Sequence, residues 1–76
     1  MEGISFTGPA KMIKCAATAQ DIEHVTKFIL SANLEEDQKI KFNFSDFTHI
    51  ELCTRIKEIK IEKDKKSSHL ITIIFV

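Results

Sequence analysis

The chain has 76 residues and a mass of 8.7 kDa, with 11 basic and 11 acidic side chains, 43% apolar residues and two cysteines. That mixture excludes a disordered tail and a disulfide scaffold, and no apolar run approaches the ~18 residues of a membrane-spanning helix. Zero net charge counts against a general nucleic-acid binder, and so small a domain has too thin a core to hollow out for a deep substrate cleft.

In chain order, Met1 to Phe6 alternates weakly through Ile4 and Phe6. Gly8-Pro9 marks a turn. The apolar centre of Lys11–Ala17 predicts a second strand, so residues 1–17 read as a hairpin or an irregular two-strand ribbon. Thr18 to Asn33 reads as a helix. Thr18 caps it, Asp21 falls at the third helical position, and Ile22, Val25, Ile29 and Ala32 form one stripe. Asn33 suits a left-handed stop, and Glu35-Glu36-Asp37 makes an acidic loop. Lys39 to Phe44 alternates strictly, with Ile40, Phe42 and Phe44 on one face, as a half-buried strand does.

Residues 47–63 decide the fold, and two readings compete for them. Phe47, Thr48, Glu51 and Leu52 match a hydrophobic staple and capping box, and Leu52, Ile56, Ile59 and Lys63 follow at helical spacing. Glu51–Arg55 and Glu62–Lys66 would be correctly ordered pairs on that helix. The rival is a hairpin from Arg55 to Val76 turning at Lys63–Ser68, supported by the alternation of Ile59-Lys60-Ile61 and by the β-branched residues. The helix is favoured because the cap signals have no role in a strand. Leu70 to Val76 predicts a central strand buried on both faces, with Lys63, Lys65 and Lys66 before it as gatekeepers against aggregation. The expected fold is a single small α/β domain over residues 1–76. Its elements run β-β-α-β-α-β, with helices packed on a mixed sheet, and the class becomes α+β if the hairpin wins.

Few residues suggest chemistry. Gly8-Pro9-Ala10-Lys11 lacks the pattern of a phosphate loop. On the expected second helix, His49 and Cys53 lie four apart on one face, where they would serve as a metal or thiol site. Cys15, His24 and His69 are the other ligands available for it. The simpler reading makes Cys53 a small buried residue beside Leu52 and Ile56. No leader marks the chain for export, so a cytoplasmic location and two free, mostly buried thiols are expected. Charge is uneven along the chain: residues 1–38 carry three lysines against six acids, and residues 55–76 carry six basic side chains against three acids. Lys57, Lys60, Lys63, Lys65 and Lys66 would suit a phosphate backbone, but Glu58, Glu62 and Asp64 interrupt them and no Tyr or Trp is present for stacking. Phe6, Phe28, Phe42, Phe44, Phe47 and Phe75 sit at patterned positions and read as core.

Lys39 to Glu51, containing I-K-F-N-F-S-D-F-T-H-I-E, resembles the strand-and-loop signature of STAS domains, the anti-sigma-factor antagonist fold. The likeness covers about half the chain. Asn43 stands where the family usually has Asp, and Leu52, Cys53 and Thr54 replace its Ser-rich step, so the phosphoserine switch is carried to no residue here. The resemblance implies the fold type and binding to other proteins. The expected function is therefore a non-catalytic protein–protein interaction domain, a regulator or inhibitor of a partner protein, needing no cofactor and no metal. The expected second helix and its entry loop (Ser45, Asp46 and His49) would form its recognition edge, together with Lys57 and Lys60. The alternatives are a small RNA- or DNA-binding module using the basic C-terminal half, and a site built on His49 and Cys53. Self-association through the acidic and basic ends is a further expectation.

Overall fold

A computed structural model describes residues 4–63 and 68–76. The elements are β1 (Ser5–Phe6), β2 (Met12–Ala17), α1 (Ala19–Ser31), β3 (Gln38–Asn43), β4 (His49–Thr54), β5 (Ile56–Lys63) and β6 (His69–Phe75). They build two three-stranded sheets, ordered β1-β4-β3 and β2-β6-β5, so the class is a small mixed α+β domain. Among the described residues no helix is long and apolar enough to cross a membrane. Asp64, Lys65 and Lys66 lie outside the described residues, and with them the pair expected for Glu62 and two of the gatekeepers.

The first helix forms as its local signals dictate. Thr18 and Asp21 make a reciprocal capping box, the Asp21 amide donating to Thr18 Oγ1 at 3.1 Å and the Thr18 amide to Asp21 Oδ2 at 2.9 Å. Val25 is buried, with Ile22, Phe28 and Ile29 packed against the core. Phe28 meets Phe42 of β3 edge to face, their ring centres 5.2 Å apart. The stop differs from expectation. Ala32 is the C-cap, in extended conformation, and Asn33 does not turn left-handed. Its Oδ1 instead accepts the Glu35 amide at 3.1 Å, a short side-chain turn.

The expected second helix over residues 47–63 is corrected to two strands. β4 alternates Ile50 and Leu52 inward against Glu51 and Cys53 outward, and β5 runs antiparallel to β6. On a helix carrying Leu52, Ile56 and Ile59 as its stripe, Ile50 would lie on the opposite, wet side. As a strand, the segment buries Ile50 completely. The capping-box residues acquire other work: Thr48 is buried in the β3–β4 turn, and Glu51 reaches across to Lys39. The parallel crossover architecture falls with that helix, and the hairpin reading of Arg55 to Val76 holds.

Residues 1–17 are corrected too. β1 and β2 do not pair with each other; β1 runs parallel beside β4, and β2 runs antiparallel beside β6 in the other sheet. The chain changes sheet three times: between Thr7 and Lys11, through α1 between β2 and β3, and at Arg55. β6 is central, as expected, but fully buried on one face only, which corrects the expected burial on both. Ile71, Ile73 and Phe75 are buried on one face, and Leu70, Thr72 and Ile74 are half-buried on the other. The inner faces of both sheets close on one core in which Ile13, Ile40, Ile50, Ile71 and Ile73 are fully buried.

Candidate functional site

Ser45 and Asp46, expected in the entry loop of a second helix, instead form the middle of the β3–β4 turn. The Phe44 amide donates to Thr48 O at 2.9 Å, and the Phe47 amide to Phe44 O at 2.9 Å. Asp46 Oδ1 accepts the Thr48 amide at 3.0 Å. This is a tight turn followed by one left-handed residue, a position that suits Gly or Asn. Here it is Phe47, with φ of 71°. A side chain in that conformation costs about 1 kcal/mol. Phe47 is 72% exposed, so no core packing offsets that cost. Its expected place in the core is therefore corrected: the phenyl ring stands at the tip of the turn.

The turn is pinned to the helix from below. Asp21, 4% exposed, accepts the Ser45 amide at 3.2 Å and the Ser45 hydroxyl at 3.0 Å, besides the Thr18 amide. One carboxylate thus satisfies donors from the helix N-terminus and from the turn, where the helix dipole also favours its charge. The position of Ser45, and through it that of Phe47, is set by a residue 24 positions earlier.

His49 begins the outer face of β4. Its Nδ1 lies 2.6 Å from Asn43 Oδ1 and its Nε2 3.1 Å from Glu51 Oε1, while Lys39 Nζ lies 3.1 Å from Glu51 Oε2. The contact with Lys39, and next the one with His49, holds the Glu51 carboxyl below its usual range. The sign follows: the contribution of this ladder is present above the ordinary glutamate value and is lost as pH falls through the lower, folded one. Titration of Glu51 followed by carboxyl NMR should show a midpoint below that of a free glutamate. Lys39→Met should move it upward; an unmoved midpoint would contradict the assignment.

His49 and Cys53 share a face but not a site. Four residues along a strand span about 13 Å, with Glu51 between them, so the contact that helical spacing promised does not form. Among the described residues no group of three His, Cys, Asp or Glu side chains is placed to hold a metal ion. Lys57 and Lys60 lie on β5, in the other sheet from Ser45, Asp46 and His49. Glu58 and Glu62 flank Lys60 on its own face at period two, so no unbroken basic stripe results.

A groove of about 840 Å³ opens between the Thr7–Lys11 connection and residues 51–54. It exists because β1 pairs with β4 only as far as Phe6 and Ile50, while β4 continues to Thr54. Cys53 lines it and is exposed, which corrects the expected burial. Cys15 is the protected thiol. Burial, then the charges of Asp46 and Asp21, push it up to about 11. Only about 0.1% of it is thiolate at pH 8. An aromatic disulfide reagent at that pH should therefore release one fast equivalent, lost in Cys53→Ser, with Cys15 slower by at least about a hundredfold until the chain is unfolded. Two equally fast thiols would contradict this.

Sequence reasoning missed Phe47 as a surface residue, along with the Lys39–Glu51 contact and the groove. The alternation His49-Ile50-Glu51-Leu52-Cys53 signals the strand that underlies all three, but not the pairing that brings them about. No family model matches this chain, and no curated protein or solved structure is similar to it. The likeness of Lys39–Glu51 to the STAS signature assigns no role to any residue.

Proposed function

We propose that the chain is a non-catalytic protein-interaction domain that regulates or inhibits a partner protein. It docks through the β3–β4 turn, with Phe47 as apolar anchor and Ser45, Asp46 and His49 around it. The observation that carries this reading is a bulky aromatic side chain held in a strained, solvent-facing conformation where glycine would serve the fold better. Aromatic side chains are enriched in the centres of interfaces, and the chain has no Trp or Tyr to serve instead. The STAS-like resemblance points to the same class of partner. The non-catalytic part of the reading is supported by the state of two reactive groups: the Asp21 carboxylate is occupied by structural bonds, and the Cys15 thiol is pushed up by burial. A second copy of this chain belongs to the same class of partner, and a cytoplasmic location without cofactor completes the reading.

The test separates folding from binding. Phe47→Gly relieves the strain and should leave the domain equally stable or about 0.5–1 kcal/mol more stable. A photoreactive phenylalanine at position 47 should crosslink one protein in native lysate, and unlabelled wild-type chain should compete while Phe47→Gly competes at least tenfold less well. Equal competition by Phe47→Gly, or a loss of its stability, would overturn the reading.

A further inference from the structure

Among the described residues β5 ends its sheet with one edge unpaired. The hydrogen bond from Phe75 N to Lys11 O turns the odd residues of β6 toward β2. Its even residues therefore face β5, where Ile74, Thr72 and Leu70 stand opposite Glu58, Lys60 and Glu62. The even residues of β5 spend their backbone groups on β6, and Ile59, Ile61 and Lys63 present theirs to the open edge. The side chains divide the same way. Ile59 packs on the core, and Ile61, across from fully buried Ile71, remains 46% exposed. Glu58, Lys60 and Glu62 share the outer face with alternating sign.

We propose that two copies of this chain pair antiparallel along β5 about a two-fold axis at Ile61, joining two β2-β6-β5 sheets into one of six strands. An axis normal to the sheet keeps both inner faces on one side, so only residues of equal parity can stand opposite each other. Charge then selects the register. An axis at Lys60 sets Ile59 against Ile61 but Lys60 against Lys60, Glu58 against Glu62 and Lys57 against Lys63, so every charged pair within β5 is repulsive. An axis at Ile59 pairs Glu58 with Lys60, but leaves Ile61 facing Lys57 at the irregularity between Ile56 and Glu58. The axis at Ile61 pairs Lys60 of each copy with Glu62 of the other and sets the two exposed isoleucines side by side. The stem of Lys63 then lies along Ile59, and about six backbone hydrogen bonds form. A long open edge is a template for pairing, and this one is complementary to itself. It goes beyond the partner-binding turn and lies in the other sheet.

Sedimentation equilibrium of the full chain at low salt, over a range of concentrations, tests the pairing. The wild type should show a monomer–dimer equilibrium. Lys60→Glu and Glu62→Lys should each weaken the dimer about thirtyfold, and the two together should restore it to within about threefold. Ile61→Pro removes an N–H that only the second copy uses. It should leave the circular dichroism of the folded domain intact and abolish the dimer. Phe47→Gly should leave the dimer unchanged, so failure here is distinguishable from failure of the turn as a docking surface. A wild-type monomer at millimolar concentration, as expected if a strand of another protein used this edge, would overturn the proposal. So would a double variant that stays weak, or a dimer that survives Ile61→Pro.

Discussion

Ile50→Ala should lower the unfolding free energy by about 4 kcal/mol, while Cys53→Ala on the same strand should change it by less than about 0.5 kcal/mol. Ile50 is fully buried on β4, the middle strand of its sheet, with Phe6 of β1 and Phe42 of β3 paired on either side. Truncation removes three carbons and leaves a cavity walled by two strands that are fixed by their own ladders, so little collapse offsets the loss. A chain of this length has about 4–11 kcal/mol of stability in total, and this substitution takes a large share of it. The contrast between the two positions carries the information. Ile50 on a helix with Leu52, Ile56 and Ile59 inward would point to water, and its truncation would cost almost nothing. Urea midpoints followed by circular dichroism, with an unchanged slope, give the comparison directly. Similar small losses at both positions would remove the two-sheet core.

Asp21→Ala should cost about 3 kcal/mol, read as a fall in melting temperature of roughly 12–24 °C for a domain of this size. The effect comes from what is left behind more than from what is lost. The amides of Thr18 and Ser45 and the Ser45 hydroxyl all donate to this one carboxylate. Without it, donors at the helix N-terminus and in the turn lose their acceptor, at about 1–3 kcal/mol for each one that stays buried. Asp21→Asn keeps one acceptor oxygen and should cost about half as much. Ser45→Ala should cost about 1 kcal/mol, and the double variant should fall short of the sum because both changes break the same bonds. Additive losses would show that Asp21 and Ser45 act separately, and a loss below about 0.5 kcal/mol in Asp21→Ala would show that the pin does no structural work. A further consequence links stability to the proposed docking surface. Loosening Ser45 frees the turn that presents Phe47, so Asp21 variants should weaken partner capture even where the domain remains folded.

The candidate site was partly legible before any coordinates. Ser45 and Asp46 were singled out as the entry to a helix, and the structure places them instead in a turn between two strands. Phe47 was misread, because a lone Phe beside an apolar run carries the same signal whether its ring is buried or exposed. Its left-handed conformation appears only once Phe44 and Thr48 are joined as the base of a hairpin. The Lys39–Glu51 contact was equally hidden. Its partners are 12 positions apart and meet only through the register of β3 with β4.

By itself the amino-acid order determined the elements whose signals are local. The Thr18–Asp21 cap with the stripe of Ile22, Val25 and Ile29 behind it starts a helix, the alternation of Ile40, Phe42 and Phe44 marks a strand with one wet face, and the apolar run into Val76 fits only a central strand. Tertiary structure alone decided residues 47–63. There a Thr-x-x-Glu spacing and a period-two pattern coincide, and local preference differs by less than the burial at stake. Ile50 and Leu52 go to the core because β3 and β6 offer β4 and β5 edges to pair with and apolar faces to share. A strand, unlike a helix, finds its hydrogen-bond partners outside itself.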